Sequence, residues 1–200
     1  MARASRAVAE QHKAAIEAAS ARLFREHGLH GVSVAQVMAD AGLTHGGFYG
    51  HFPSRDALVA RACALAFEES ATRWRQRIDQ AQGDRKAARR NLVVQYLSTT
   101  HRDAAGRGCA ASALAGDVAR EASDKPVHDA YLHGLKSLID IWQSTAPDGD
   151  DAAGDSALVD LATLVGAITI ARATRGDALS DDILAAARDR LLASHKPTDA

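Results

Sequence analysis

Apolar residues recur every third or fourth position along most of this chain, and the breaks between those runs fall at glycine and proline. From about Glu10 to His27 the residues Ile16, Ala19, Leu23 and Phe24 share one helical face, and Gly28 stops the run as a C-terminal glycine does. Ser33 then supplies an N-cap oxygen and Gln36, three residues on, completes a capping box for a short second helix that buries Val37, Met38 and Ala41. Gly42 suits a left-handed turn and Leu43 plugs the corner. Thr44 caps a third short helix that ends before Pro53. Ser54 caps a fourth, predicted from Arg55 to about Gln82 on Leu58, Cys63, Leu65, Phe67, Trp74 and Ile78, until Gly83 and Asp84 break it. Further helices are predicted near residues 86–104, 110–121, 126–146, 155–175 and 180–194. No stretch alternates apolar and polar positions as a strand does, so the chain reads as all-α.

The outline from Ser33 to Phe52 is that of a helix-turn-helix: a short support helix, a glycine turn, and a second helix whose outer face can enter a major groove. Phe48 and Phe52, four apart, anchor that second helix to the core, while Tyr49 and His51 fall on other faces and can donate to phosphates. Gly46 and Gly47 each cost about 1 kcal/mol in a helix relative to alanine, a penalty that close approach of a DNA surface would explain.

The run Gly42-Leu43-Thr44-His45-Gly46-Gly47-Phe48-Tyr49-Gly50-His51-Phe52-Pro53-Ser54-Arg55-Asp56-Ala57-Leu58 resembles the signature of the tetracycline-repressor (TetR) family, the Tyr-x-His-Phe-x-Ser core above all. The resemblance implies an N-terminal three-helix DNA-binding domain over residues 10–70, with its helix-turn-helix at 33–52, and a helical ligand-binding and dimerisation domain over 71–200. It implies that Thr44, His45 and Gly47 lie at base edges, that Ser33, Tyr49 and His51 hold phosphates, and that Gln36 reaches either. Arg55 stands where the family has lysine and keeps the charge, at a helix N-terminus that favours anions. Glycines at 46, 47 and 50 leave the base-reading face with few side chains, so Thr44 and His45 carry much of the selectivity. Arg3 and Arg6 offer a terminal arm for the adjacent groove.

The same resemblance gives the remaining residues a use. Leu158, Leu161, Ala162, Val165, Ile168 and Ala171 on the helix near 155–175, with Ile183, Leu184, Ala187, Leu191 and Leu192 on the helix near 180–194, would pair across a two-fold axis into a four-helix interface. Two recognition helices would then stand about one DNA turn apart, and the operator would be palindromic. Phe67, Trp74, Tyr96, Tyr131 and Trp142 are candidate walls of an inducer pocket. Cys109, after Gly108 at a predicted helix start, is a candidate sensor of electrophiles or oxidants. Inducer binding would shift the long helix that begins at Ser54 and Arg55, and repression would lapse.

Composition adds exclusions rather than direction. Hydrophobic residues make up 46% and charged residues 24%, while the net charge of −1 is no nucleic-acid signal. Lys and Arg outnumber Asp and Glu by two in residues 1–61, where five of the nine histidines also lie. The two cysteines, Cys63 and Cys109, suggest neither a disulfide framework nor a zinc site. No run of 18 apolar residues is present, so no membrane span is expected and the reading is cytoplasmic. The acidic loop Asp148–Asp155 lacks the register of a calcium loop. An enzyme is the main rival: Gly106-Arg107-Gly108-Cys109-Ala110-Ala111 matches a relaxed dinucleotide fingerprint but follows no strand, His128 and His133 are badly spaced for one helical face, and no nucleophile elbow occurs. No catalytic residue, cofactor or metal is expected. An architectural DNA-binding protein is the second rival and would need a strongly basic surface.

Overall fold

The computed structural model describes residues 2–146 and 153–193, which leaves most of the acidic loop outside the described residues. Among the described residues the chain is helical with no strand. The elements are α1 (Ala2–His27), α2 (Val34–Asp40), a 3₁₀ segment (His45–Gly50), α3 (Arg55–Asp79), α4 (Arg85–Tyr96), α5 (Thr99–Asp103), a second 3₁₀ turn (Ala105–Arg107), α6 (Ala110–Val118), α7 (Pro126–Gln143), α8 (Ala153–Ala173) and α9 (Ala178–Ala193).

Local chemistry sets most of these boundaries. Gly28 ends α1 at φ 78° and donates its N–H to the Phe24 carbonyl at 2.9 Å. Ser33 and Gln36 form the full capping box, each side chain accepting from the other residue's backbone N–H. Gly42 takes φ 72° at the turn, and the Ser54 hydroxyl accepts from the Ala57 N–H at 3.1 Å to open α3.

Three elements differ from the sequence pattern. The first helix starts at Ala2 rather than near Glu10, so Arg6 stands inside α1, paired to Glu10 at 3.3 Å, rather than on an arm; the side chain of Arg3 lies outside the described residues. The helix expected over 86–104 is two, because Leu97 turns to ψ 48° and Ser98 caps α5 through the His101 N–H. The helix expected after Thr44 is a 3₁₀ turn. Six residues containing two adjacent glycines do not sustain an α-helix, and the Gly47 N–H bonds the Thr44 carbonyl one residue short of the α pattern.

The chain forms two compact units. The first comprises Met1–Glu69 and Cys109–Leu135, the second Ser70–Gly108 and Lys136–Ala200. In the first, Ile16, Phe24, Leu29, Val37, Met38, Phe48, Leu58 and Phe67 are buried together with Ala111 and Leu114 of α6. Gly134 of α7 is required there, because a Cβ would lie 2.2 Å from the Phe67 ring. The segment 109–135 also grips the N-terminal part of this unit. Asp117 accepts from the Leu29 N–H at 2.7 Å, Glu121 meets His30 at 3.0 Å, and Lys125 meets Asp56 at 2.6 Å.

The second unit is built on Leu92, Leu97, Leu138, Trp142, Leu164 and Ile168 around a buried polar network. Arg89 lies over the Trp142 ring at 4.7 Å, its Nη1 sits 3.6 Å from Asp160, and the Trp142 indole N–H donates to the same carboxylate at 3.2 Å. Helix α8 is long and apolar enough to cross a membrane by length and composition, yet it packs on α9 along one side. Leu161, Ile168, Ala171, Leu184 and Leu191, expected at a subunit interface, are instead buried within the chain. Helical geometry can turn only one face of α8 toward α9. Of the residues expected at that interface, Leu158 and Ala162 do face outward, as do Val159 and Ile170 of α8 and Leu179 at the start of α9.

Candidate nucleic-acid interface

In the first unit, α2 and the 3₁₀ segment are held against α1 by Val37, Met38, Phe48 and Phe52, the last two stacked with ring centres 5.9 Å apart. With Phe48 turned inward, the rest of the segment faces out: Thr44, His45, Gly46, Gly47, Tyr49 and Gly50 are all exposed, Tyr49 to 75%. The Tyr49 ring leans edge-on against Phe48 at 5.1 Å, which orients it without consuming its hydroxyl. Thr44 occupies the N-cap position but makes no side-chain capping bond.

The other predicted contacts are more engaged. Ser33 and Gln36 are exposed but bonded to one another, the Ser33 hydroxyl lying 2.9 Å from Gln36 Oε1. Arg55 donates through Nη2 to the Leu29 carbonyl, which ties the start of α3 to the turn after α1. No local pattern pointed to that partner, which lies 26 residues away. His51 is half-buried and meets His12 of α1 edge-on at 6.0 Å. The neighbouring Lys13 ammonium lies 5.8 Å above the Phe52 ring. His12 and Lys13 therefore belong beside this surface; the histidine-rich N-terminal composition was the only signal that pointed to them.

The three glycines have no internal cause. None of Gly46, Gly47 and Gly50 has positive φ, a Cβ at 46 or 50 would meet nothing within 4 Å, and one at 47 would meet only Met38 Cε at 3.8 Å.

Residues 16–62 match the family model for bacterial regulatory proteins of the tetR family. Over those residues the chain is similar to that family. No curated protein sequence matches it. Solved TetR-type structures share the fold across nearly the whole chain. A TetR-family transcriptional regulator from Cytophaga hutchinsonii is 21% identical, with a TM-score of 0.75 over 96% of this chain and 98% of that one. Reduced Escherichia coli NemR is 18% identical, with 0.74 over 90% and 94%. Bacillus subtilis FadR in complex with stearoyl-CoA is 14% identical, with 0.66 over 91% and 98%.

The five aromatic residues expected to wall an inducer pocket fall into two ring clusters. In the first unit Phe67 meets Tyr131 edge-on at 5.2 Å. The Tyr131 hydroxyl donates to the Ala111 carbonyl at 2.9 Å, and burial pushes its pKa up. Cys109 is the N-cap residue of α6 and is buried, as is Cys63, whose thiol burial raises to about 12. In the second unit Trp74 meets Tyr96 and Trp142, each at 6.0 Å. Among the described residues no group of three or more His, Cys, Asp or Glu side chains could hold a metal.

His101 extends the second cluster. Its ring lies 4.6 Å from Tyr96, and Nδ1 donates to the Tyr96 carbonyl at 2.7 Å. Burial, with Arg172, Arg73 and Arg77 nearby, lowers its pKa to about 4 despite that bond. The folded chain therefore holds His101 neutral while the unfolded chain protonates it near pH 6.5. Its contribution to stability is complete above that value and is lost as pH falls toward 4, by roughly 3 kcal/mol at most. Urea midpoints at pH 7 and pH 5 should differ more for the parent than for His101→Asn, which keeps a donor for Tyr96. Equal pH dependence in the two proteins would refute this assignment.

Proposed function

We propose that the chain is a homodimeric, cytoplasmic transcription repressor. It binds a palindromic operator through Thr44, His45 and Gly47 at the bases and Tyr49, His51, Ser33 and Arg55 at the phosphates, and a small molecule releases it. Residues 10–70 act as the DNA reader and the rest as the ligand-binding and dimerisation part.

The observation that carries this reading is the outward face of the 3₁₀ segment. Three glycines there have neither a conformational nor a packing reason inside the chain, and bare backbone at an exposed helix-turn-helix surface is what close approach to a duplex needs. Dimerisation is supported by the outward stripe on α8. Val159, Gly166 and Ile170 share one face, and a Cβ at Gly166 would meet nothing within 4 Å. Ligand response is supported by similarity to FadR, whose structure holds stearoyl-CoA. An electrophile or oxidant acting at Cys109 would first have to expose a thiol that is 3% accessible.

The test is selection of DNA from a random duplex pool by the full chain. Enrichment of two inverted half-sites, centred about 34–36 Å apart, is the expected result. Binding that enriches no sequence would mark an architectural protein instead.

A further inference from the structure

A concentration of positive charge lies outside the DNA-binding region. Between Arg73 and Arg90 there are seven Lys and Arg residues against Asp79 and Asp84, in a protein whose net charge is −1. The helices turn part of that charge onto one surface. Arg73 and Arg77 are four apart on α3, and they face Arg90 and Asn91 of α4 across a groove of about 650 Å³, within the usual range for small-molecule sites. Gln80 and Gln95 complete its polar lining, and no carboxylate lines it.

Neither Arg77 nor Arg90 has an ion-pair partner among the described residues. Arg77 is partly buried, and that burial lowers its pKa. Arg73 donates to the Ser70 hydroxyl and the Gly108 carbonyl, contacts that orient its guanidinium. The neighbouring His101 registers the same excess, since Arg73, Arg77 and Arg172 all disfavour its protonation.

Guanidinium forks converging with amide donors, and no acid among them, form the donor set for a planar or tetrahedral oxyanion. Val94 and the aliphatic stems of the arginines supply a modest apolar wall for an organic body. We propose that the α3–α4 groove binds a small molecule bearing phosphate or carboxylate groups, with Arg77 and Arg90 as its principal anchors, and that this anion is the effector of the regulator. The effector role rests on the repressor reading; occupancy of the groove by an anion does not.

The experiment uses the full chain with pyrophosphate and citrate as probes of the two oxyanion classes, each titrated calorimetrically at ionic strength matched with sodium chloride. Saturable binding of at least one probe is expected, weakened about tenfold or more in Arg77→Gln and in Arg90→Gln. Arg75→Gln, an exposed change of the same charge on the same helix outside the groove, should bind like the parent. Preference between the probes distinguishes a phosphate from a carboxylate ligand. Absence of saturable binding, or equal losses in all three variants, overturns the site. Operator selection by the parent is scored separately: anion binding by a chain that selects no operator removes the effector role, whereas operator binding without anion binding removes the groove and leaves the repressor.

Discussion

Gly47→Glu should abolish operator binding, by at least about a hundredfold, while leaving the protein at least as stable as the parent. Gly47 is exposed and a side chain there has room, its Cβ meeting only Met38 Cε at 3.8 Å. Replacing glycine at a permitted φ lowers unfolded-chain entropy, which contributes about 0.4–1 kcal/mol in favour of folding. Against DNA, the added atoms occupy the space through which the backbone approaches the bases, and the carboxylate faces phosphates, a like-charge contact costing several kcal/mol. Gly47→Gln separates the two effects, since it retains the bulk without the charge. Fluorescence anisotropy on the selected operator and thermal melting provide the two readouts. A Gly47→Glu protein that bound its operator as tightly as the parent would show that this face does not meet DNA.

The second large effect is expected at the outward face of α8. Val159 and Ile170 are 65% and 53% exposed and eleven residues apart, which places them on one stripe of the helix with Gly166 between. Ile170→Glu should convert the dimer to a monomer in sedimentation. It should also weaken binding to the palindrome about 10²–10⁴-fold, because the two half-sites would no longer be held by one particle. Folding should be spared, since the side chain is not part of the chain's own core. A variant that remains dimeric would move the subunit interface elsewhere.

How much of this was legible beforehand follows the range of the forces involved. Capping and turn chemistry acts over a few residues, so Gly28, Ser33 with Gln36, Gly42 and Ser54 marked their boundaries correctly. The break at Leu97 and Ser98 was missed because apolar spacing continues across it, although Ser98 with His101 three residues on was a local signal. Contacts between distant residues left no trace in the pattern: Arg55 meets Leu29, and the scarce aromatics pair off as Phe67 with Tyr131 and Trp74 with Tyr96 and Trp142. The arginine groove was half legible. The charge density between 73 and 90 was countable, but its convergence depends on which faces of α3 and α4 oppose one another.

The return of residues 109–135 to the first unit bears on how such a regulator can be recombined. Leu29, His30 and Asp56 are each bonded to Asp117, Glu121 or Lys125, so the reader is not a cassette that ends where α3 leaves it. A chimera spliced once near residue 70 would place a foreign sequence opposite those three contacts. Transplanting this specificity onto another sensor takes two exchanged segments, joined at three splice points.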